Sequence, residues 1–433
     1  MSRADERSFA IQFIEYNHEI GRSGRNAMNV LAEVEDTRKL EAFREEANAW
    51  IKANFPESLK SKLEEYYQNM PRYPDGADWA LWKERVRDKG WGTPGWPKAY
   101  GGGGLSTVEA RIVQQAFVAC GAFNPMTGMG TSLLGPTLLE HGNEEQKKLH
   151  LTRVSRGEVV WCQGYSEPGA GSDLAGLQTK AEDKGDHYLV NGQKIWTSGS
   201  RFANWCFCLV RTDPKVKQEG ISFLLIDMKT PGVEVRPIKT ISGESPFSEV
   251  FFTDVKVPKE NLVGQLNKGW TIAKRLLQFE RNATDTRRRQ LAGDTRPMDE
   301  IAKEYLGVDE KGRIADPDLR QRIVRHMMEF RALKLMQQRM LDETKAGQGP
   351  SEFTSVAKNA RARIQQEREE LLIEIFGQQG LGWGTSNGDK YKQIELDTTR
   401  AFFSNKAMTI FSGTTEVQNN IIAKRMLGLL DHQ

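Results

Sequence analysis

Cysteine is scarce in this chain, limited to Cys120, Cys162, Cys206 and Cys208 in 433 residues. No histidine or cysteine stands at ligand spacing from the first two. Cys206 and Cys208 alternate within NWCFCLV, the pattern of two thiols on one face of a buried strand, so a metal centre is not expected and reduced thiols in the cytoplasm are. Net charge is scarce too: 61 Lys and Arg balance 58 Asp and Glu, which gives no basis for a nucleic-acid or membrane-surface partner. No apolar run is long enough to span a bilayer. Residues 1–30 mix Arg3, Arg7, Arg22 and Arg25 with Asp5, Glu6, Glu15 and Glu19, unlike a transit peptide. The absence of internal repeats and low-complexity segments points away from solenoids and linkers. A soluble, unprocessed cytoplasmic protein without stable membrane association is the expectation.

What is present is an order of patterns. The length allows two or three packed units. In the first third, Leu40, Phe43, Ala47 and Trp50 recur at three- and four-residue spacing behind Asp36, a candidate N-cap. The Pro/Gly cluster TPGWPKAYGGGGLS, Thr93–Ser106, is a loop, and helix resumes near Thr107 until HGNEEQ. From about Val159 to Val263 the period changes to two: HYLVNGQKIWTSG, CFCLVRTD, ISFLLIDM and SEVFFTDVKVP read as strands, with Asn191-Gly192 as a hairpin signal. Helices then return, and Ile323, Met327, Phe330, Leu333, Met336 and Met340 form a stripe read as bundle core, ending near Gly347 and Gly349. The expected class is α+β and multi-domain: a helical unit over 1–158, a β-barrel or sandwich over 159–263 and a four-helix bundle over 264–433.

Four collinear stretches, GWPKAYGGGG, YSEPGAGSDLAGLQTKA, NGQKIWTSG and FSGTTEVQNNIIAKRMLGL, resemble motifs of the acyl-CoA dehydrogenase family across roughly residues 36–430. The resemblance implies FAD held between β-domain and bundle and reaching a neighbouring subunit. In SEPGAGSD, Gly169 and Gly171 let backbone approach a flat ring or phosphate, and Ser166 and Ser172 add hydroxyls. By resemblance, Gln163, Tyr165, Ser166 and Gly171 belong to the flavin side, and Ser172 faces the pantetheine arm of an acyl-CoA. Trp196 would cover one edge of the isoalloxazine, with Ser198 near its N5. Thr414 and Glu416 match positions at the adenosine half, and Glu374, Gly377 and Gln378 a stretch that reaches the neighbour's flavin.

Ser412 stands where many family members carry the glutamate that removes the substrate's α-proton. A minority supply that glutamate from an early turn of the bundle's first helix. In KGWTIAKRLLQFERNATDTRRRQ, Glu280-Arg281 falls at that alternative position. The resemblance therefore assigns Glu280 as base, keeps the backbone N–H of Ser412 as a donor to the developing oxyanion, and makes Arg281 a candidate for CoA phosphates. The implied activity is α,β-dehydrogenation of an acyl-CoA to a trans-2-enoyl-CoA, with electrons passing to an electron-transfer flavoprotein. The chain would work as a homo-oligomer or beside a heteromeric partner. Two readings compete: a non-catalytic subunit of a heteromeric complex, and a flavin monooxygenase or oxidase on the same fold. Residues 1–35 carry no assigned role.

Overall fold

A computed structural model describes residues 25–63, 65–66, 72–288, 296–345, 353–384 and 390–429. The N-terminal part is built from α1 (Arg25–Asn54), α2 (Ala77–Asp88), α3 (Thr107–Ala119) and α4 (Gly135–His141). Helix α1 runs through Asp36, which is therefore interior to the helix instead of its cap. The start of α3 falls where expected, because Ser106 and Glu109 form a reciprocal capping box that satisfies two N-terminal amides, a device that stabilises a helix by about 1 kcal/mol. Around these helices Trp79, Trp82, Trp91, Phe117 and Phe123 close one aromatic core. The indole of Trp82 is fully buried and donates to the Phe123 carbonyl at 2.9 Å, so the ring is buried without an orphaned N–H.

The middle part is one seven-stranded sheet: β1 (Trp161–Gly164), β2 (Lys180–Asp183), β3 (His187–Ser198), β4 (Trp205–Arg211), β5 (Ile221–Asp227), β6 (Val233–Ile238) and β7 (Phe247–Pro258). Its path is β1-β4-β2-β3-β7-β6, with β5 antiparallel on β4. Alternation sorts the strands cleanly. Phe207, Leu209, Phe223 and Leu225 face a core shared with Leu134, Leu138 and Leu151 from the N-terminal part. Cys206, Cys208, Leu224 and Ile226 face a second core in which the sheet closes on Val190, Val250 and Val255 of its own far strands. The two thiols of NWCFCLV thus share a buried strand face, as their spacing implied.

Asn191-Gly192 is not a hairpin turn. Both residues lie inside β3, at a register shift against β7, while the β2–β3 connection is made earlier, at Lys184 to Asp186. Tertiary pairing has converted a turn signal into a bulge: Asn191 accepts from the Asp254 amide at 2.9 Å, and a Cβ on Gly192 would lie 2.5 Å from Thr179 Oγ1.

The C-terminal part contains α5 (Gly269–Arg288), α6 (Met298–Leu306), α7 (Pro317–Lys345), α8 (Thr354–Phe376), α9 (Gln393–Ser404) and α10 (Thr415–Ile421). Its core joins Ile301, Ile323, Leu371, Leu372 and Phe376. The stripe on α7 is only partly core. Ile323 and Leu333 are buried, but Met327 and Phe330 are 41% and 42% exposed and continue into an open apolar face with Val324, Met328 and Leu335. Helical periodicity identifies an apolar side of a helix; it does not say whether the same chain covers it.

Candidate active site

Strand β1 delivers Gln163, half-buried, to the edge of β4, and the chain then leaves the sheet in the loop that contains Tyr165 and Ser166. The Tyr165 ring turns into the core, in edge contact with Phe207 and Phe223, and the whole residue is buried. Gly171 and Ser172 are exposed. A Cβ built on Gly169 or Gly171 would meet nothing within 4 Å, so no packing inside the chain requires these glycines, and they border open space of the kind a flat ring or phosphate could occupy.

Trp196 stands beside this loop because the Ile195 amide donates to the Ser166 carbonyl at 2.9 Å. In a regular strand, residues two apart share a face. Lys194 and Trp196 do not: Lys194 is fully buried and Trp196 is 55% exposed. The bulge between Lys194 and Thr197 sets them apart, and it holds Trp196 at φ 59°, a left-handed conformation that bulky residues avoid. The indole is left standing on the surface with one edge toward the Phe247 ring, 6.0 Å away. Ser198, half-buried, follows at the end of β3.

Glu167 and Lys194, within the quoted motifs but given no role by the sequence, form the polar centre of this region. Lys194 Nζ lies 2.7 Å from Glu167 Oε1 and 3.1 Å from the Tyr165 carbonyl. The same carboxylate accepts from the amides of Gln178 at 2.6 Å and Thr179 at 2.9 Å. Burial alone would raise the Glu167 pKa, but the lysine charge and these hydrogen bonds outweigh it and hold the carboxyl below its usual range. The signal that could have found the pair was a lysine at an inward-facing position of an otherwise apolar strand face.

The remaining sequence candidates gather on the helices. Glu374, on α8, is engaged by Arg322 through a two-pronged pair at 2.8 and 2.7 Å, and Gly377 ends α8 at φ 54° with Gln378 exposed beside it. Ser412 adopts φ 54° in the turn before α10, and Thr414 caps that helix by accepting from the Val417 amide at 3.2 Å. Glu416 is exposed in the first turn, its carboxyl lowered by hydrogen bonds from its own backbone and Thr414. Gln418, which the sequence did not single out, is buried and donates to the Ser412 carbonyl at 3.0 Å. The Trp383 indole lies against the backbone of Gly243, whose added Cβ would be 3.2 Å from it.

Helix α5 carries positions 280 and 281, but the side chains of Glu280 and Arg281 lie outside the described residues. Its first turns are firmly seated. Ile272, Ala273 and Leu276 belong to the same core as Tyr165, Ala170, Phe207 and Phe223, and Arg275 grips Glu140 at 2.8 and 2.6 Å. Among the described residues no cluster of His, Cys, Asp and Glu could hold a metal ion, and no helix is long and apolar enough to cross a membrane.

Three family models cover this layout in order. The acyl-CoA dehydrogenase N-terminal domain matches residues 37–158, the middle domain 162–255 and the C-terminal domain 267–427. The chain belongs to the acyl-CoA dehydrogenase family. Members are flavoprotein oxidoreductases of lipid catabolism. Acyl-CoA dehydrogenase IpdE1 of Mycobacterium tuberculosis (strain ATCC 25618 / H37Rv) is 35% identical over 350 residues, 80% of this chain and 87% of the relative. The solved steroid ACAD Tcur3481-Tcur3483 superposes with a TM-score of 0.72 at 26% identity, over 91% of this chain and 98% of that one. The ChsE4-ChsE5 complex from Mycobacterium tuberculosis gives 0.68 at 29% identity, again over 91% and 98%. The three-domain fold expected from the sequence is the one observed.

Proposed function

We propose that this family member is an FAD-dependent dehydrogenase that converts an acyl-CoA thioester to its trans-2-enoyl-CoA, acting on a bulky, ring-bearing acyl group. The observation that carries the proposal is that one core seats both the loop through Tyr165 to Ala170 and the first turns of α5, the helix on which Glu280 lies. A flavin cradle and a base supplied from α5 would then be held in fixed relation by packing, not by a mobile loop.

The residues present fit a flavin. The surface-standing Trp196 offers an aromatic face, the open space beside Gly169 and Gly171 admits backbone contact, and the half-buried Ser166 and Ser198 carry hydroxyls. Gln163, Tyr165, Ser166, Gly171, Trp196 and Ser198 would hold its ring system, Thr414 and Glu416 its adenosine half, and Glu374, Gly377 and Gln378 the flavin of a neighbouring subunit. When bound, the flavin supplies a hydride acceptor for the β-carbon.

Glu280 removes the α-proton in this proposal. Ser412 then contributes backbone, not side chain: its N–H faces the thioester oxygen as negative charge develops there, which explains how a serine can occupy this position. Ser172 would meet the pantetheine arm and Arg281 a CoA phosphate. The preference for a ring-bearing acyl group rests on similarity to a protein titled a steroid ACAD. Similarity to two complexes of paired chains supports a heteromeric partner over a homo-oligomer, and an electron-transfer flavoprotein is the proposed acceptor.

The test is anaerobic mixing of the yellow protein with straight, branched and steroid-bearing acyl-CoAs while flavin absorbance is followed, in wild type and Glu280→Gln. Bleaching of the wild type by a ring-bearing thioester, with the variant binding it unbleached, is the expected result. Equal bleaching of both proteins would remove Glu280 from the mechanism. A protein that stays colourless alone but turns yellow with a partner chain and never bleaches would favour the non-catalytic subunit.

A further inference from the structure

We infer that Glu167 and Lys194 are positioning residues for the flavin, a buried ion pair that sets the distance between the two strips of backbone on which the ring rests. The inference builds on the flavin reading above and adds two residues that the reading did not use.

The lysine's contacts run between the two strips, and the glutamate's remaining contacts close the loop that carries one of them. Lys194 belongs to β3, two residues before Trp196, and its ammonium reaches across to the Tyr165 carbonyl at 3.1 Å and Glu167 Oε1 at 2.7 Å. Glu167 in turn gathers the Gln178 and Thr179 amides, closing the far end of the 165–179 loop onto its beginning. The Ile195-to-Ser166 hydrogen bond at 2.9 Å completes the seam. Both charged groups are buried, Lys194 at 0% and Glu167 at 8% exposure, in a place where an apolar pair would have filled the same space. Desolvated charges make poor general stabilisers, because removing both often costs nothing while removing one leaves the other stranded. What they do well is impose one geometry. The geometry imposed here is the separation between Tyr165-Ser166 and Trp196, the two sides of the proposed cradle.

The test uses full-length protein in four forms: wild type, Lys194→Met, Glu167→Gln and the double variant. Each is stripped of flavin, its unfolding temperature measured by circular dichroism, and its affinity for added FAD read by flavin fluorescence together with the visible circular dichroism of the bound ring. Either single change is expected to lower the unfolding temperature and weaken FAD binding at least tenfold. The double variant is expected to recover the unfolding temperature of the wild type while its FAD affinity stays at least tenfold weaker. If affinity returns along with stability, the pair is merely structural and the inference falls. Should the single variants not fold, Lys194→Arg decides: it keeps the charge but displaces the Tyr165 carbonyl, so a wild-type unfolding temperature with altered visible circular dichroism is expected, and an unaltered spectrum with wild-type affinity overturns the inference. Wild-type protein that takes up no FAD, either alone or together with a partner chain, would instead refute the flavin reading itself.

Discussion

Gln418 Nε2 donates to the Ser412 carbonyl at 3.0 Å from the second turn of α10, so the helix that follows the Ser412 turn reaches back to fix it. The backbone of Ser412 is already constrained by its left-handed φ and by Gly413 at φ 85°. A single buried amide therefore holds the Ser412–Gly413 peptide, the immediate neighbour of the Phe411–Ser412 peptide whose N–H is proposed for the oxyanion. Gln418→Met should lower kcat/KM about fivefold, from the loss of one hydrogen bond of about 1 kcal/mol. Gln418→Glu should be worse, since a carboxylate cannot donate to the carbonyl and would face it with charge. Steady-state kinetics with Gln418→Glu matching wild type would show that the tether is idle.

Trp196 combines a left-handed backbone with a half-exposed indole, an arrangement that costs roughly 1–3 kcal/mol and that packing alone does not reward. Asparagine tolerates this conformation far better. Trp196→Asn should leave the flavin-free protein as stable as wild type or raise its unfolding temperature by about 2 °C, while weakening FAD binding at least fivefold. A clear fall in apoprotein stability would mean that the indole is a packing element after all.

Glu369, on α8, is 2% exposed and accepts from Gln365 Nε2 at 2.8 Å and from Asn405 Nδ2 in the segment that leads toward Ser412. Burial, only partly opposed by those amides, pushes its pKa up to about 7. The folded state thus holds this proton more tightly than the unfolded chain. Stability from the neutral form is present below the ordinary carboxylate range and lost as pH rises through about 7, on the order of 3 kcal/mol in all. Glu369→Gln, permanently neutral, should gain on wild type in urea unfolding at pH 8 and match it at pH 4.5. An equal difference at both values would contradict the linkage.

The open apolar face of α7, with Val324, Met328 and Leu335 at 51%, 68% and 56% exposure, is expected to be covered by another subunit. Met328→Glu or Leu335→Glu should shift the assembly to a smaller species in light scattering without changing far-ultraviolet circular dichroism. An unchanged assembly would place the subunit contact elsewhere.

The sequence by itself determined the order of helical, β and helical parts, because that order rests on a change in hydrophobic period that every register of the chain must respect. It also placed the motifs along the chain, since the glycines of the 165–179 loop, Trp196 and Ser412 lie in short contiguous stretches. Tertiary structure decided what lies across strands and helices. Asn191-Gly192 reads as a turn until β7 pairs with it, and the Met327 and Phe330 side of α7 reads as core until the neighbouring helices are seen to leave it bare. The buried meeting of Glu167 with Lys194, and of Gln418 with Ser412, depends on partners 27 and 6 residues apart whose approach only the folded chain creates. Periodicity records which side of an element is apolar, whereas the identity of the group facing it is a property of packing.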